Sequence, residues 1–257
     1  MADVSPLTPP VLPDWFKGTA FADDSSVVYR EALVSPVRKE VWKYTPVRKI
    51  QALSTLSAER ATMRGHEQDG VTVSDQPLAD VTDIFSIQRA PEAFAFLCQH
   101  PLVYINVAAS LEQPLHLTHT TSSWPIVIDI AAGASLTLTE EFASARDQQQ
   151  VIWLRLGRDA QVTHGRNSLS STPNHWQFLS VQINTNGHYS LHNHAIASSL
   201  RRQDIQIQLC GDGACANLCG AAMAPQRGNL DQQVTMEHLS ANTCLLYTSP
   251  SPRDLAV

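Results

Sequence analysis

Three histidines, His188, His192 and His194, fall on one short segment of alternating character. Side chains alternate between the faces of a strand, so with Tyr189 and Leu191 turned inward all three imidazoles share the outer face. A histidine pair two residues apart reaches one metal ion, and imidazole is a common ligand. The same segment is rich in Asn and Ser, and a polar outer surface accounts for it at least as well. Cys210, Cys215 and Cys219 follow with the spacing C-x4-C-x3-C. Thiolates so close can hold iron or zinc, but the spacing matches no standard iron–sulfur run and no fourth ligand is evident. Small, soft residues packed between stacked strands explain the cysteines better. These six residues are the metal-ligand candidates of the chain, and none is assigned. His164 falls on the inward face and reads as a hydrogen-bonded core residue. Asp129, Glu140, Glu141 and Asp204 lie near strand ends. A glycosidase needs two carboxylates at a set separation, whereas solvated edge charges need no partner and are the simpler expectation. The chain has no Gly-rich phosphate loop, no G-x-S-x-G elbow and no H-E-x-x-H run, so no catalytic residue is assigned.

The elements that carry these residues repeat. Gly-Ala-Ser-Leu-Thr-Leu at 133–138, Asp-Ala-Gln-Val-Thr-His at 159–164, Asn-Gly-His-Tyr-Ser-Leu at 186–191 and Gly-Ala-Cys-Ala-Asn-Leu at 213–218 are variants of one unit. Aligning Ala134, Ala160, Gly187 and Ala214 gives intervals of 26, 27 and 27 residues. Such a period marks an architecture whose units bury their apolar faces by stacking on neighbours. Each unit alternates, which predicts strand. A second apolar phase (Val127 and Ile128, Ile152, Phe178 and Leu179, Ile205 and Ile207) adds another strand per turn. A β-helix or stacked β-solenoid follows, with an antiparallel sandwich as the other arrangement of short, evenly spaced strands.

The 257 residues are 43% hydrophobic and 16% charged, enough for one large domain or a large one with a small companion. A net charge of −6 argues against nucleic acid and anionic membranes, which demand Lys and Arg. No window approaches a membrane-spanning length of apolar residues. Met1 to Pro6 lacks the basic and apolar regions of a secretory signal. Five cysteines in a chain this long form no disulfide framework, so a reducing cytoplasm is the expected setting.

Residues 1–13, with four prolines, are expected to be disordered. Residues 14–100 read as a mostly helical N-terminal region with a connector. Its pieces are an apolar face at Val28, Ala32 and Leu33, a short helix from Arg38 to Trp42, a third element from Ile50 to Met63, a short strand at Val71–Val73 and an amphipathic helix from Phe85 to Gln99 closed by Pro101. The β core spans 101–243. Residues 244–257 break the pattern: Cys244 to Asp254 is similar to the translation of a sequencing adaptor. They are read as a non-native tail, with the natural chain continuing beyond Thr243.

Arg38-Lys39-Glu40-Val41-Trp42-Lys43-Tyr44-Thr45-Pro46 resembles the N-terminal signature E-x-W-K-Y-T-P of the SufD family, subunits of the SUF iron–sulfur cluster assembly scaffold. Pro114-Leu115-His116-Leu117 looks like that family's P-I/L-x-L strand, and Gly133 to Phe142 like its G-A-x-x-T-x-x-E-x-F unit. Arg202-Gln203-Asp204 to Leu209, then Gly211 and Gly213-Ala214, resembles its R-x-D … L-x-G-x-G-A stretch. Asp231 to His238 resembles the D-x-x-x-x-x-x-H that follows. The β stretches are shared with the sister subunit SufB, and the Trp-Lys-Tyr-Thr run favours SufD. Trp42, Tyr44, Thr45 and Pro46 are then structural, with Trp42 and Tyr44 as large apolar anchors pinning the N-terminal region to the solenoid.

The resemblance implies a right-handed parallel β-helix preceded by a small helical region. It implies a heterodimer with a SufB-like subunit and a SufC-like ABC ATPase as partner. The ATPase-docking region and the interface histidine of that family fall beyond Thr243, so the resemblance implies that this contact is lost here. The cysteine trio is not part of the family pattern. The expected role is a non-enzymatic cytoplasmic scaffold that binds no cofactor of its own, an iron–sulfur cluster being present only transiently in the complex. The alternatives are a β-helix carbohydrate-active enzyme and a metal-binding β-solenoid.

Overall fold

The computed structural model of the chain describes residues 10–16, 20–34, 42–43, 45, 57–78, 80–85, 87, 89–169, 174–223 and 228–248. In chain order the elements are α1 (Ala20–Val34), β1 (Ala58–Glu59), β2 (Thr62–Arg64), β3 (Val71–Ser74), α2 (Pro91–Gln99), β4 (Val103–Val107), β5 (Leu115–His119), β6 (Ser122–Ser123), β7 (Ile126–Ile130), β8 (Ser135–Phe142), β9 (Gln148–Leu156), β10 (Gln161–Ser168), β11 (Asn174–Ile183), β12 (His188–Ile196), β13 (Leu200–Leu209), β14 (Cys215–Met223), β15 (Leu230–His238) and β16 (Cys244–Thr248).

The chain winds into a mainly β solenoid. One seven-stranded sheet has the order β2-β5-β8-β10-β12-β14-β16, the other β3-β4-β7-β9-β11-β13-β15. Only β2 and β3 run antiparallel to their neighbours in these sheets. The alternation in each unit now has its cause. Val107, Ile130, Leu156, Ile183 and Leu209 from one sheet meet Leu115, Leu138, Leu191 and Leu218 from the other in a shared interior. Burying one such side chain contributes about 1.5–3 kcal/mol relative to leaving it exposed.

The two sheets differ in their outer faces. Strands β8, β10 and β12 alternate buried and exposed residues, so their outer face meets water. Strands β9 and β11 are buried on both faces. Their outer side chains, Trp153, Trp176 and Phe178, form a second apolar cluster with Phe16, Tyr29, Phe85, Phe94 and Leu97. The N-terminal region thus covers one sheet and leaves the other bare. Phe85 meets Trp153 edge-on at 5.0 Å.

Two N-terminal expectations change. The helix expected over Phe85 to Gln99 begins at Pro91, which fits the first helical position because its missing N–H is not needed there. The described end of the Ile50–Met63 element is extended, not helical. Trp124 bonds through its backbone N–H to Glu59 and through its indole to Ala58, each at 2.8 Å, which draws the segment into pairing. The short helix expected over Arg38 to Trp42 lies outside the described residues except for Trp42 itself.

From β7 onward each coil turns from the covered to the bare sheet through a left-handed residue: Gly133 (φ 73°), Asp159 (58°), Asn186 (55°), Gly213 (71°) and Asn242 (53°). Gly, Asn and Asp tolerate this conformation best. The Asn186 amide donates to Asp159 Oδ1 at 3.0 Å, linking successive corners. Replacing Asn186 with valine is expected to cost about 1–2 kcal/mol, read as a lower denaturant midpoint, whereas Asn186→Gly costs only a few tenths. At Gly211 a Cβ would lie 2.0 Å from the Thr185 nitrogen, so the coils approach too closely there for any side chain.

Candidate functional site

Strand β12 presents His188, His192 and His194 to solvent, with Tyr189 and Leu191 buried beneath. The parallel register sets His188 beside Cys215 and His192 beside Cys219, while His194 faces Ala221. His188 Nδ1 lies 2.9 Å from the Asn186 carbonyl and His194 Nδ1 3.1 Å from Asn167 Oδ1. Cys210 is not on this face. It sits at the turn between β13 and β14, its sulfur 3.7 Å from the Gln208 carbonyl. Among the described residues, no three His, Cys, Asp or Glu side chains gather as a metal ion requires. Burial pushes the thiols of Cys210 and Cys215 up, and that of Cys98 to about 12, the opposite of what an activated thiol needs.

The carboxylates correct the expectation of solvated edges. Only Glu141 is exposed. Asp129 is held by Arg155, at 2.9 and 2.7 Å, and by the Tyr104 hydroxyl at 2.8 Å. Asp204 and Glu140 are buried. The four do not share one face: Glu140 points into the interior, Glu141 out from the bare sheet, and Asp129 and Asp204 out from the covered one.

Glu140 anchors a polar network inside the solenoid, where the bare sheet's strands end and the covered sheet's begin. Its Oε1 lies 2.7 Å from His164 Nε2 and 2.9 Å from Arg166 Nε, and its Oε2 lies 3.3 Å from His119 Nε2. All four side chains are fully buried. Burial alone would raise the Glu140 carboxyl, but the Arg166 guanidinium and the two imidazoles outweigh it and hold the group well below the carboxylate range. With Glu140 ionised, His164 carries its proton on Nε2 and accepts the Tyr189 hydroxyl on Nδ1 at 2.8 Å. Burial pushes His164 down and Tyr189 well up, so both stay neutral.

The network continues from coil to coil. Arg166 donates to Gln150 Oε1 at 3.2 Å, Gln177 to Ser168 Oγ at 2.6 Å, Asn193 to Gln203 Oε1 at 3.0 Å, and Gln203 to Gln177. Phe142 fills the middle: His119 stacks on it at 4.9 Å, His175 meets it at 5.2 Å, and the Arg166 guanidinium lies 5.3 Å away. His175 is fully buried, and neither ring nitrogen has a hydrogen-bond partner among the described residues. Burial first, then Arg201, Arg166 and His119, drive its pKa well below the ordinary value. Chemically the arrangement keeps one ion pair and three imidazoles dry.

A third constellation lies on the outer face of the covered sheet. The Arg202 guanidinium stands 4.7 Å over the Trp42 ring, donates to Asp204 Oδ1 at 2.9 Å through Nε, and reaches Asp231. Thr45 donates to the same Asp231 carboxylate. Trp176 donates to Asp204 Oδ2 at 2.7 Å and packs 6.3 Å from Trp42. Residues from four separate stretches, at Trp42 and Thr45, Trp176, Arg202 and Asp204, and Asp231, thus close one clasp. Tyr44 and Pro46 lie outside the described residues.

Sequence reasoning missed the partners of Glu140. The signal was available, because Glu140 and Arg166 occupy one register position in neighbouring coils, as do Gln150, Gln177 and Gln203. No helix among the described residues is long and apolar enough to cross a membrane. A family model described as SUF system FeS cluster assembly, SufBD core domain, matches residues 116–247, just over half of the chain. A comparison with curated proteins finds no match.

Proposed function

Because the chain belongs to the SufBD core family of the SUF system for iron–sulfur cluster assembly, we propose that it is a SufD-type scaffold subunit. In this reading it pairs with a SufB-like subunit, ATP hydrolysis comes from a SufC-like ATPase, and the complex works in the cytoplasm. The chain supplies shape and partner surfaces, and carries no catalytic residue of its own.

The observation that supports the SufD assignment best is the clasp. The Trp42–Thr45 turn, on which the likeness to SufD rather than SufB rests, meets Arg202 and Asp231 from the two later stretches of the same resemblance. Motifs separated in sequence that join in space belong to one structural device. A solenoid also offers a long bare face for partners, and here one sheet is left uncovered.

The test is co-expression of the tagged chain with SufB-like and SufC-like proteins from the same source. The expected result is stoichiometric retention of the SufB-like subunit, with an iron–sulfur absorption band that builds on the complex and not on this chain alone. A cluster formed on this chain alone, or no retention of the SufB-like subunit, would overturn the reading.

A further inference from the structure

We infer that His175, sealed beside Phe142 and set among guanidinium groups, is the trigger of an acid-sensitive release of the Trp42 clasp. The inference is independent of the scaffold reading. It stands on two features of strands β11 and β13: their inward residues belong to the buried network, and the residues next to them belong to the clasp. His175 points inward and its neighbour Trp176 outward, where it packs on Trp42 and bonds Asp204. Arg201 and Arg202 are placed in the same way, and the register sets His175 beside Arg201 and Trp176 beside Arg202.

The groups that face His175 can be named from every strand around it. Strand β8 contributes Glu140 and Phe142, β10 contributes Arg166, β13 contributes Arg201 and β5 contributes His119. Strand β9 sets Gln148 beside it. Glu140 is the one anion among the described residues of this set, and it is already shared by Arg166, His164 and His119. A proton on His175 would therefore add a buried cation beside Arg201 and Arg166, with only a neutral amide, that of Gln148, set next to it, and a neutral acceptor does not offset the cost of that charge. Moving the first residues of β11 toward water removes that cost. The same movement carries Trp176 away from Trp42 and from Asp204.

The direction with pH follows. The open form binds a proton at His175 near the ordinary imidazole value of 6.5, and the closed form refuses it. Below that pH the open form gains about tenfold in population for each unit of acidification, until the closed form itself titrates. Above it the clasp is insensitive to pH. The opening is local, because the aliphatic interior at Leu154, Leu156, Val181 and Ile183 has no titratable group.

Hydrogen–deuterium exchange, corrected for the intrinsic pH dependence of amide exchange, tests this on the full chain. Peptides containing Trp42–Thr45 and Asn174–Gln177 are expected to lose protection by about tenfold per pH unit below 6.5. Peptides from β9 and β10 keep theirs over the same range. In His175→Gln and His175→Phe, which bind no proton there, the clasp peptides become flat with pH. If these variants follow the wild-type curve, or if β9 and β10 lose protection in step with the clasp, the inference is wrong. Should neither variant fold, imidazole nitrogen shifts in the wild type decide: protonation of His175 coincident with release supports the trigger, and protonation with the clasp still closed overturns it.

Discussion

Replacing Arg166 with methionine is expected to lower stability by about 3–5 kcal/mol, because it leaves Glu140 ionised and buried without its strongest partner. For a chain of this length the melting temperature falls by about 6–9 °C. The reason lies in what holds Glu140: the guanidinium at 2.9 Å, with the His164 imidazole at 2.7 Å and the His119 imidazole at 3.3 Å as weaker supports. Removing both charges together, as in Glu140→Gln/Arg166→Met, is expected to cost less than Arg166→Met alone. A matched buried pair is worth little against neutral residues of similar volume, whereas a widowed charge is expensive. The pH dependence carries its own sign. In the wild type the Glu140 carboxyl sits well below its ordinary value of 4.5, so its contribution is present above that value and is lost as pH falls through the folded one. Without Arg166, desolvation dominates and the carboxyl rises, so the penalty of the substitution shrinks as pH is lowered. Denaturant unfolding at neutral and acid pH checks this. A loss that does not change with pH would mean that lost packing against Phe142, and not a stranded charge, governs the effect.

Arg202→Ala has the second large expected effect, about 3 kcal/mol, and it is also the substitution that should detach the N-terminal region. Arg202 sits between the carboxylates of Asp204 and Asp231 and beneath the Trp42 ring. Its loss strands Asp204, which is buried, and removes the cation from the aromatic face. Lysine is not expected to rescue it. A single ammonium cannot serve both carboxylates and lie flat against an indole, as the planar guanidinium does. Limited proteolysis reads the result: cleavage near Lys43 accelerates in Arg202→Ala and Arg202→Lys while the solenoid remains intact. Unchanged cleavage would mean that the aromatic cluster around Phe16, Phe85 and Phe94 holds the N-terminal region unaided.

The solenoid was legible because its cause is periodic. Ala134, Ala160, Gly187 and Ala214 recur at one spacing since each follows a corner residue that must turn left-handed, and the strands after them alternate because one face is dry. The outward direction of His188, His192 and His194 follows from the same alternation. The interior polar network was not legible along the chain. Glu140 ends a strand and reads as an edge charge when its sequence neighbours are considered, but its actual neighbours are one coil away. Reading the repeat in columns brings Glu140 against Arg166 and stacks Gln150, Gln177 and Gln203. The clasp lies deeper still. Trp42 and Arg202 share no period, and only the family resemblance marked both stretches.

The two long edges of the solenoid handle chain length in opposite ways. On one, Leu156 to Gln161 and Ile183 to His188 pass from sheet to sheet through closely fitted backbone, with a left-handed residue and a near-contact such as Gly211 against Thr185 in each neighbourhood. On the other, the links from Phe142 to Gln148, Ile196 to Leu200 and Met223 to Leu230 differ in length, yet the strands they join stay in register. From β7 onward one edge is therefore a binding, sewn with four or five residues to each link, and the other a hem whose links run from three to six. Growth or loss of residues is absorbed along the hem, so the molecule can vary in outline there without disturbing the register on which both the buried ion pair and the bare sheet depend.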